Sequence, residues 1–240
     1  MRLTLALATA LLCALPPFAA AEKGARKVDI VWTAPDYAAL DVRTIAVLPA
    51  ATYDDNAEAR RLTEYALGLA MRGTGYRWIS TSTTREQLTR AGGDSLMRAL
   101  NAQLLKSARL DSLQAPWFSR TTRARALLTV RVDQFEKHEM DFNQAGKPST
   151  TVQLHAALVD STGRVLWTAA GSETAEGPYQ DPSTGALGVK SSGLNNEPMT
   201  NQGGAPSFPE TLNKLLARWA ERFPPRNPEP PAPAPTAPEK

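Results

Sequence analysis

Cysteine is almost missing from this chain. The only one, Cys13, sits in an apolar run near the start of the 240 residues. A chain cleaved after that run has no thiol nucleophile, no disulfide and no cysteine metal ligand, so its stability rests on a hydrophobic core. Histidine is nearly as scarce, with only His138 and His155, which excludes a three-histidine metal centre within one chain. The motifs of common catalytic sites are absent as well. There is no Gly-x-Ser-x-Gly elbow, no Ser-x-x-Lys, no Walker loop and no Gly-x-Gly-x-x-Gly. An excess of one charge is lacking too. The formal net charge is +3, and one of those charges is Arg2 in the leader. That balance makes no electrostatic case for a polyanion, and no nucleic-acid partner is expected. The basic stretch of Arg109, Arg120, Arg123, Arg125 and Arg131 reads as a solvated helix end and strand start.

Long apolar runs are confined to Leu3–Leu15, behind the positive Met1-Arg2. Pro16-Pro17 breaks this run, and Ala19-Ala20-Ala21 presents small side chains before Glu22. That order is a secretory signal peptide with cleavage expected after Ala21. The run is too short to span a bilayer. The mature protein is therefore expected to be periplasmic or secreted. An outer-membrane lipoprotein carrying lipid on Cys13 is the alternative, and only then would it touch the membrane. Bulky Leu12 before Cys13 argues against that processing.

The remaining chain divides into an arm (22–40), a domain (41–223) and a proline-rich tail (224–240). In the arm, residues 28–32 have strand character and could add an edge to a sheet. Arg43–Pro49 is a near-continuous apolar strand, as expected of one covered on both faces. Asp54–Arg72 reads as a helix with Leu62, Tyr65, Ala66 and Leu69 on its buried stripe. Tyr76–Ser80 is a short strand. Thr83 and Glu86 form a capping-box pattern for a helix that Gly92-Gly93 interrupts, and Leu96, Leu100 and Leu104 mark its continuation. Ala126–Phe135, Thr151–Asp160 and Arg164–Ala170 are three strands of an antiparallel meander, the last two joined by the turn Asp160-Ser161-Thr162-Gly163. Residues 171–206 read as one long loop, poor in apolar residues. Ser207 and Glu210 then cap a helix whose stripe is Phe208, Leu212, Leu215, Leu216, Trp219 and Phe223. The tail holds eight prolines and is expected to be extended. This order predicts a single α/β (α+β) domain, a mixed sheet with an antiparallel meander flanked by helices.

Three segments carry a resemblance to a known group: Thr44–Pro49, Ala126–Val132 and the hairpin Leu158–Trp167. Their order is similar to that of the periplasmic lipoprotein superfamily of CsgG, LpoB and the N-terminal domain of TolB. The resemblance implies a sheet flanked by helices and a role in binding envelope proteins. Members act as secretion-pore subunits, synthase activators or assembly factors. No functional residue is carried over from it.

One cluster could support chemistry: Glu136, His138, Glu139, Asp141 and His155. Two imidazoles and the Glu136 carboxylate could hold zinc if a hairpin brought His138 beside His155. An unbroken strand phase puts the two histidines on opposite faces, so a bulge near Asp133-Gln134 would be required. Exposed strand-end histidines are the simpler expectation, and no cofactor is expected. Asp160 reads as turn chemistry, and Trp78, Trp167 and Trp219 as packing. Tyr179 and Leu187, the larger apolar residues of the loop, are candidate partner anchors. The expected function is a non-catalytic, protein-binding or assembly module of the envelope. The alternatives are a metal-dependent hydrolase using His138 and His155, and a subunit of an envelope secretion pore.

Overall fold

The apolar run after Arg43 forms an inner strand, β2 (Thr44–Val47), paired on both sides by parallel neighbours. The computed structural model describes residues 29–141, 144–179 and 204–226. The leader with Cys13, the candidate anchor Leu187 and residues 227–240 lie outside the described residues. The other strands are β1 (Ile30–Thr33), β3 (Ala51–Thr52), β4 (Arg77–Ile79), β5 (Ala126–His138), β6 (Ser149–Asp160) and β7 (Val165–Glu176). They make one seven-stranded mixed sheet in the order β1-β7-β6-β5-β2-β4, with β3 also on β5. β2, β3, β4 and β5 are parallel, and β5, β6, β7 and β1 run as an antiparallel series.

Helices cover both faces of the sheet. α1 (Ala57–Ala70) and α4 (Phe208–Glu221) pack on one face, over Ile45, Leu128, Leu154, Leu158 and Trp167. α2 (Thr81–Ser107) and α3 (Ala115–Thr122) pack on the other, over Ala46, Leu127 and Val159. The α4 stripe lies where the periodicity put it, with Leu212, Leu215, Leu216 and Trp219 buried. The Ser207 hydroxyl caps it, accepting from Glu210 N at 3.4 Å.

Four features differ from the sequence reading. On α1 the buried residues are Ala59, Thr63, Ala66 and Leu67, while Tyr65 and Leu69 face outward. Apolar residues surround this helix, so periodicity alone does not choose the face. Close approach to the sheet selects the small Ala59, Thr63 and Ala66. α2 starts at Thr81 rather than after Thr83, because the cap is Ser80, three residues earlier, whose hydroxyl accepts from Thr83 N at 3.2 Å. It runs through Gly92 but is broken at Gly93 (φ 63°, ψ −163°), a conformation open to glycine. The last strand of the meander does not stop at Ala170. β7 continues to Glu176 and pairs with β6 as far as Ser149. Gly171 is no terminator there, because a side chain at that position would collide with Asp29 and Leu215. The fourth difference is at the start of the domain. β1 joins the sheet, and Ala34 and Tyr37 are core residues, so the packed domain begins before residue 41.

The tail also starts later than its prolines imply. Pro224 is buried, and its carbonyl accepts from the Tyr76 hydroxyl at 3.0 Å. The Tyr37 hydroxyl lies 2.9 Å from that of Tyr76, completing a buried chain of polar groups. Burial raises the pKa of both phenols, so they stay protonated. Tyr76→Phe leaves the Pro224 carbonyl and the Tyr37 hydroxyl without this partner. The expected cost is about 1–3 kcal/mol, read as a lower denaturant midpoint at unchanged slope. Removal of 227–240 is expected to leave the midpoint unchanged.

Candidate functional site

The parallel strands end in a crevice, the usual place for a ligand in an open α/β sheet. Pro49 and Ala50 cross the carboxyl end of β2, and α1 and α2 wall a cavity of about 430 Å³. Two partly buried ionic side chains organise it. Glu64, reaching back from α1, accepts Ala50 N at 3.1 Å and Arg85 Nη2 at 2.7 and 3.0 Å. Arg60 donates through Nε to Ala50 O at 3.2 Å and also pairs with Asp55. Asn101 accepts Thr52 N at 3.2 Å. On the rim, Asp54 and Asp55 both adopt left-handed backbone (φ 53° and 50°), rare for residues other than glycine. These groups are thus committed to holding residues 50–52 and to one another. The arrangement gives polar walls but pairs no nucleophile with a base.

Burial raises the Glu64 pKa above the ordinary carboxylate range, and the Arg85 charge opposes that rise only in part. Above the ordinary carboxylate value, the unfolded chain releases this proton while the folded chain retains it. Stability therefore falls as pH rises toward the folded-state value. Wild type is expected to lose stability relative to Glu64→Gln over that window, checked by thermal melts of both proteins from acid to neutral pH.

A second groove of about 530 Å³ runs between α1 and the edge strand β4. Its floor is Leu67, Met71 and Trp78, and Tyr65 stands on its rim at 68% exposure. A third recess, of about 410 Å³, lies on the α2/α3 face beside β1. The helices on that face pack against β2, β3, β5 and β6. Farther along β7, Thr168 and Ala170 are half-buried and Ser172 is exposed, whereas Trp167, Ala169 and Glu173 on the opposite face are buried. On β1, Ile30 and Trp32 stand over this uncovered face at 68% and 47% exposure.

The histidines do not converge. The required bulge is present, between Val132 and Gln134, and it turns His138 to the same face as His155. Register nevertheless separates them. His155 faces Arg131 across the ladder and His138 faces Ser149, a spacing of roughly 20 Å along the strand. Phe135, stacked on Phe208 at 3.7 Å between centroids, locks this register. His155 instead joins an ionic cluster, its Nδ1 against Asp133 and 3.4 Å from Arg131 Nη2. Glu136 is exposed and accepts from Gln134 at 2.8 Å. Among the described residues, no group of three or more His, Cys, Asp or Glu is placed to hold a metal. The hairpin that was to unite the two imidazoles is thus the reason they stand apart.

Tyr179 is exposed just past the end of β7. The segment that carries it is rooted on the β5–β6 turn: Gly177 N donates to Pro148 O at 2.7 Å, and Ala205 N to Glu139 at 2.8 Å. Asp160 accepts Thr162 N at 2.8 Å and Arg164 N at 3.0 Å, as turn chemistry requires. Trp167 and Trp219 are fully buried core residues. Sequence reasoning did not single out Ile30, Trp32 or Tyr65 as exposed. Their alternation on β1 and spacing on α1 gave no sign of which face the fold would leave open.

No family model matches this chain, and no curated protein matches it. Solved structures do align with it. Lipoprotein GNA1162 from Neisseria meningitidis aligns at TM-score 0.43 and 18% identity, over 75% of this chain and 96% of that one. A PelC dodecamer subunit from Paraburkholderia phytofirmans aligns at TM-score 0.41 and 16% identity, over 80% and 96%. The hypothetical protein CT253 from Chlamydia trachomatis aligns at 0.37 and 12%, over 75% and 96%.

Proposed function

We propose that this protein is a non-catalytic binding or assembly module of the cell envelope, acting in the periplasm or at the outer membrane on a protein partner. The observation that carries the reading is the sheet itself. One face is packed under α1 and α4, and the other is left uncovered at β1, where two large apolar side chains are exposed. Exposed apolar groups beside an open strand are features of a docking surface. The leader pattern of residues 1–21 supplies the compartment. The likeness to CsgG, LpoB and TolB belongs to this proposal, and so does the role of Tyr179 and Leu187 as further anchors.

Two measurements test the reading. Intact-mass analysis of envelope fractions should find a chain starting at Glu22, and a diacylglyceryl mass on Cys13 would make it membrane-anchored instead. Photo-crosslinkers placed at positions 32, 65 and 179 of the full chain should give a discrete adduct with an envelope protein from at least one position. Retention in the cytoplasm with the leader intact, or no adduct from any position, refutes the proposal.

A further inference from the structure

We infer that the open edge of β1 receives an extended polypeptide strand with apolar side chains at alternate positions and a carboxylate beside them. The inference rests on the binding-module reading and names the chemistry of the partner. Three independent observations carry it. The first is the edge. β1 ends the strand order, and among the described residues no strand pairs with its outer side. Ala34 N bonds inward to Leu166 O at 2.8 Å. By the alternation of an antiparallel ladder, the backbone groups of Trp32 and Ile30 also turn inward, and those of Val31 and Thr33 turn outward.

The second observation is the face. Ile30 and Trp32 pair with Ala170 and Thr168, so both side chains rise on the uncovered side. Beside Ile30 the floor drops, because Ala157 and Ala170 are small, and the end of α2 at Ser107–Arg109 walls the recess. An added strand lies on the far side of β1 from this recess, so its alternate side chains meet Ile30 and Trp32, and a long one laid over Ile30 points toward the recess and Arg109. The third observation is charge. Arg109 lines the recess, Lys106 precedes it on α2, and both are exposed. No ion pair joins either of them to a carboxylate among the described residues. The other ionic groups facing the floor, Arg131, Asp133 and His155, satisfy one another. The unpartnered charge at the recess is therefore positive, which favours an acidic side chain or a chain terminus. A lipid surface would suit the apolar and basic groups, but hydrocarbon offers no partner to the outward N–H and C=O groups. A peptide strand offers one for each.

The test uses the mature full chain and an array of peptides of about ten residues that alternate apolar residues and threonine. One aspartate is walked along each sequence, and a matched set carries lysine there. Binding is expected in the aspartate set at one or two positions. Fluorescence anisotropy on the best peptide should show roughly tenfold weakening or more by Val31→Pro, which removes an outward N–H and keeps the bonds to β7. Trp32→Ala and Arg109→Glu should weaken it comparably, with melting curves confirming that each variant is folded. No binding above scrambled peptides overturns the inference, as does equal binding of both sets or indifference to Val31→Pro. Trp32-dependent sedimentation with phosphatidylethanolamine–phosphatidylglycerol vesicles, without peptide binding, would assign the surface to membrane. A dimer abolished by Val31→Pro, without peptide binding, would assign it to a second copy. If peptides fail but crosslinks form at position 65 or 179, the binding-module reading stands and only this edge assignment falls.

Discussion

A chain ended at Pro206 is expected to show no cooperative melt. The truncation removes α4 and Phe223, and with them Leu212, Leu215, Leu216 and Trp219, which pack against Trp167 and the sheet. Burial of large apolar side chains contributes about 1.5–3 kcal/mol each, so the loss is on the order of 10 kcal/mol. That matches the whole stability of an ordinary domain. Circular dichroism and intrinsic fluorescence melts check it, and a soluble fragment with a sharp transition would contradict the layer assignment. A single substitution in the full chain separates packing from insolubility. Trp219→Ala is expected to cost about 3–5 kcal/mol. Trp219→Phe should cost much less, because the buried indole Nε1 has no hydrogen-bond partner among the described residues to lose. The ring's contact with Trp167, edge-on at 6.2 Å between centroids, is what phenylalanine partly keeps.

Arg218→Ala is expected to be nearly as damaging, at about 3–5 kcal/mol, although it removes a charged residue. Arg218 binds Asp29 through Nε at 2.6 Å and Nη2 at 3.1 Å, and Glu173 through Nη1 at 2.5 Å. The two carboxylate side chains are only 3% and 4% exposed. These hydrogen bonds and the attraction of the two carboxylates push the guanidinium pKa upward, with desolvation opposing them, so the charge is permanent. Removing it takes the Arg218 charge away from two nearly buried carboxylates between α4 and β7, and each keeps its desolvation cost without that compensation. Replacing all three residues with apolar ones of similar size should recover most of the loss, since nothing charged is then left buried. Urea titrations of wild type, Arg218→Ala and the triple variant test both statements. A single variant as stable as wild type would show that the clamp contributes nothing. Because Asp29 leads directly into β1, the single variant is also expected to loosen the edge strand.

Much of the fold was legible in the residues. Alternating Leu128, Val130 and Val132, the turn at Asp160–Gly163 and the α4 stripe each state a local preference that packing did not override. The α/β class followed from their order. The same sequence misjudged the face of α1, the end of β7 and the start of the packed domain. At each of those places the deciding partner is distant in the chain. Glu173 lies in the half of β7 that read as loop, and what allows that half to be buried is Arg218 on α4, 45 residues on. Tyr37 belongs to the core because the Tyr76 hydroxyl meets its own, and Tyr76 is in turn held by the Pro224 carbonyl.

The candidate sites divide in the same way. Residue types alone excluded a three-histidine centre within one chain, because a side chain that is absent cannot be supplied by folding. The order of charge and apolarity in residues 1–21 set the expected compartment. Only the tertiary structure decided that His138 and His155 stand apart, since a bulge sets which face a side chain takes while register sets how far along the strand it lies. The tertiary structure alone also decided that Ile30 and Trp32 are exposed. Their alternation is that of any half-buried strand, and whether a helix covers the outer face depends on where α2 and α3 end, far from β1 in sequence.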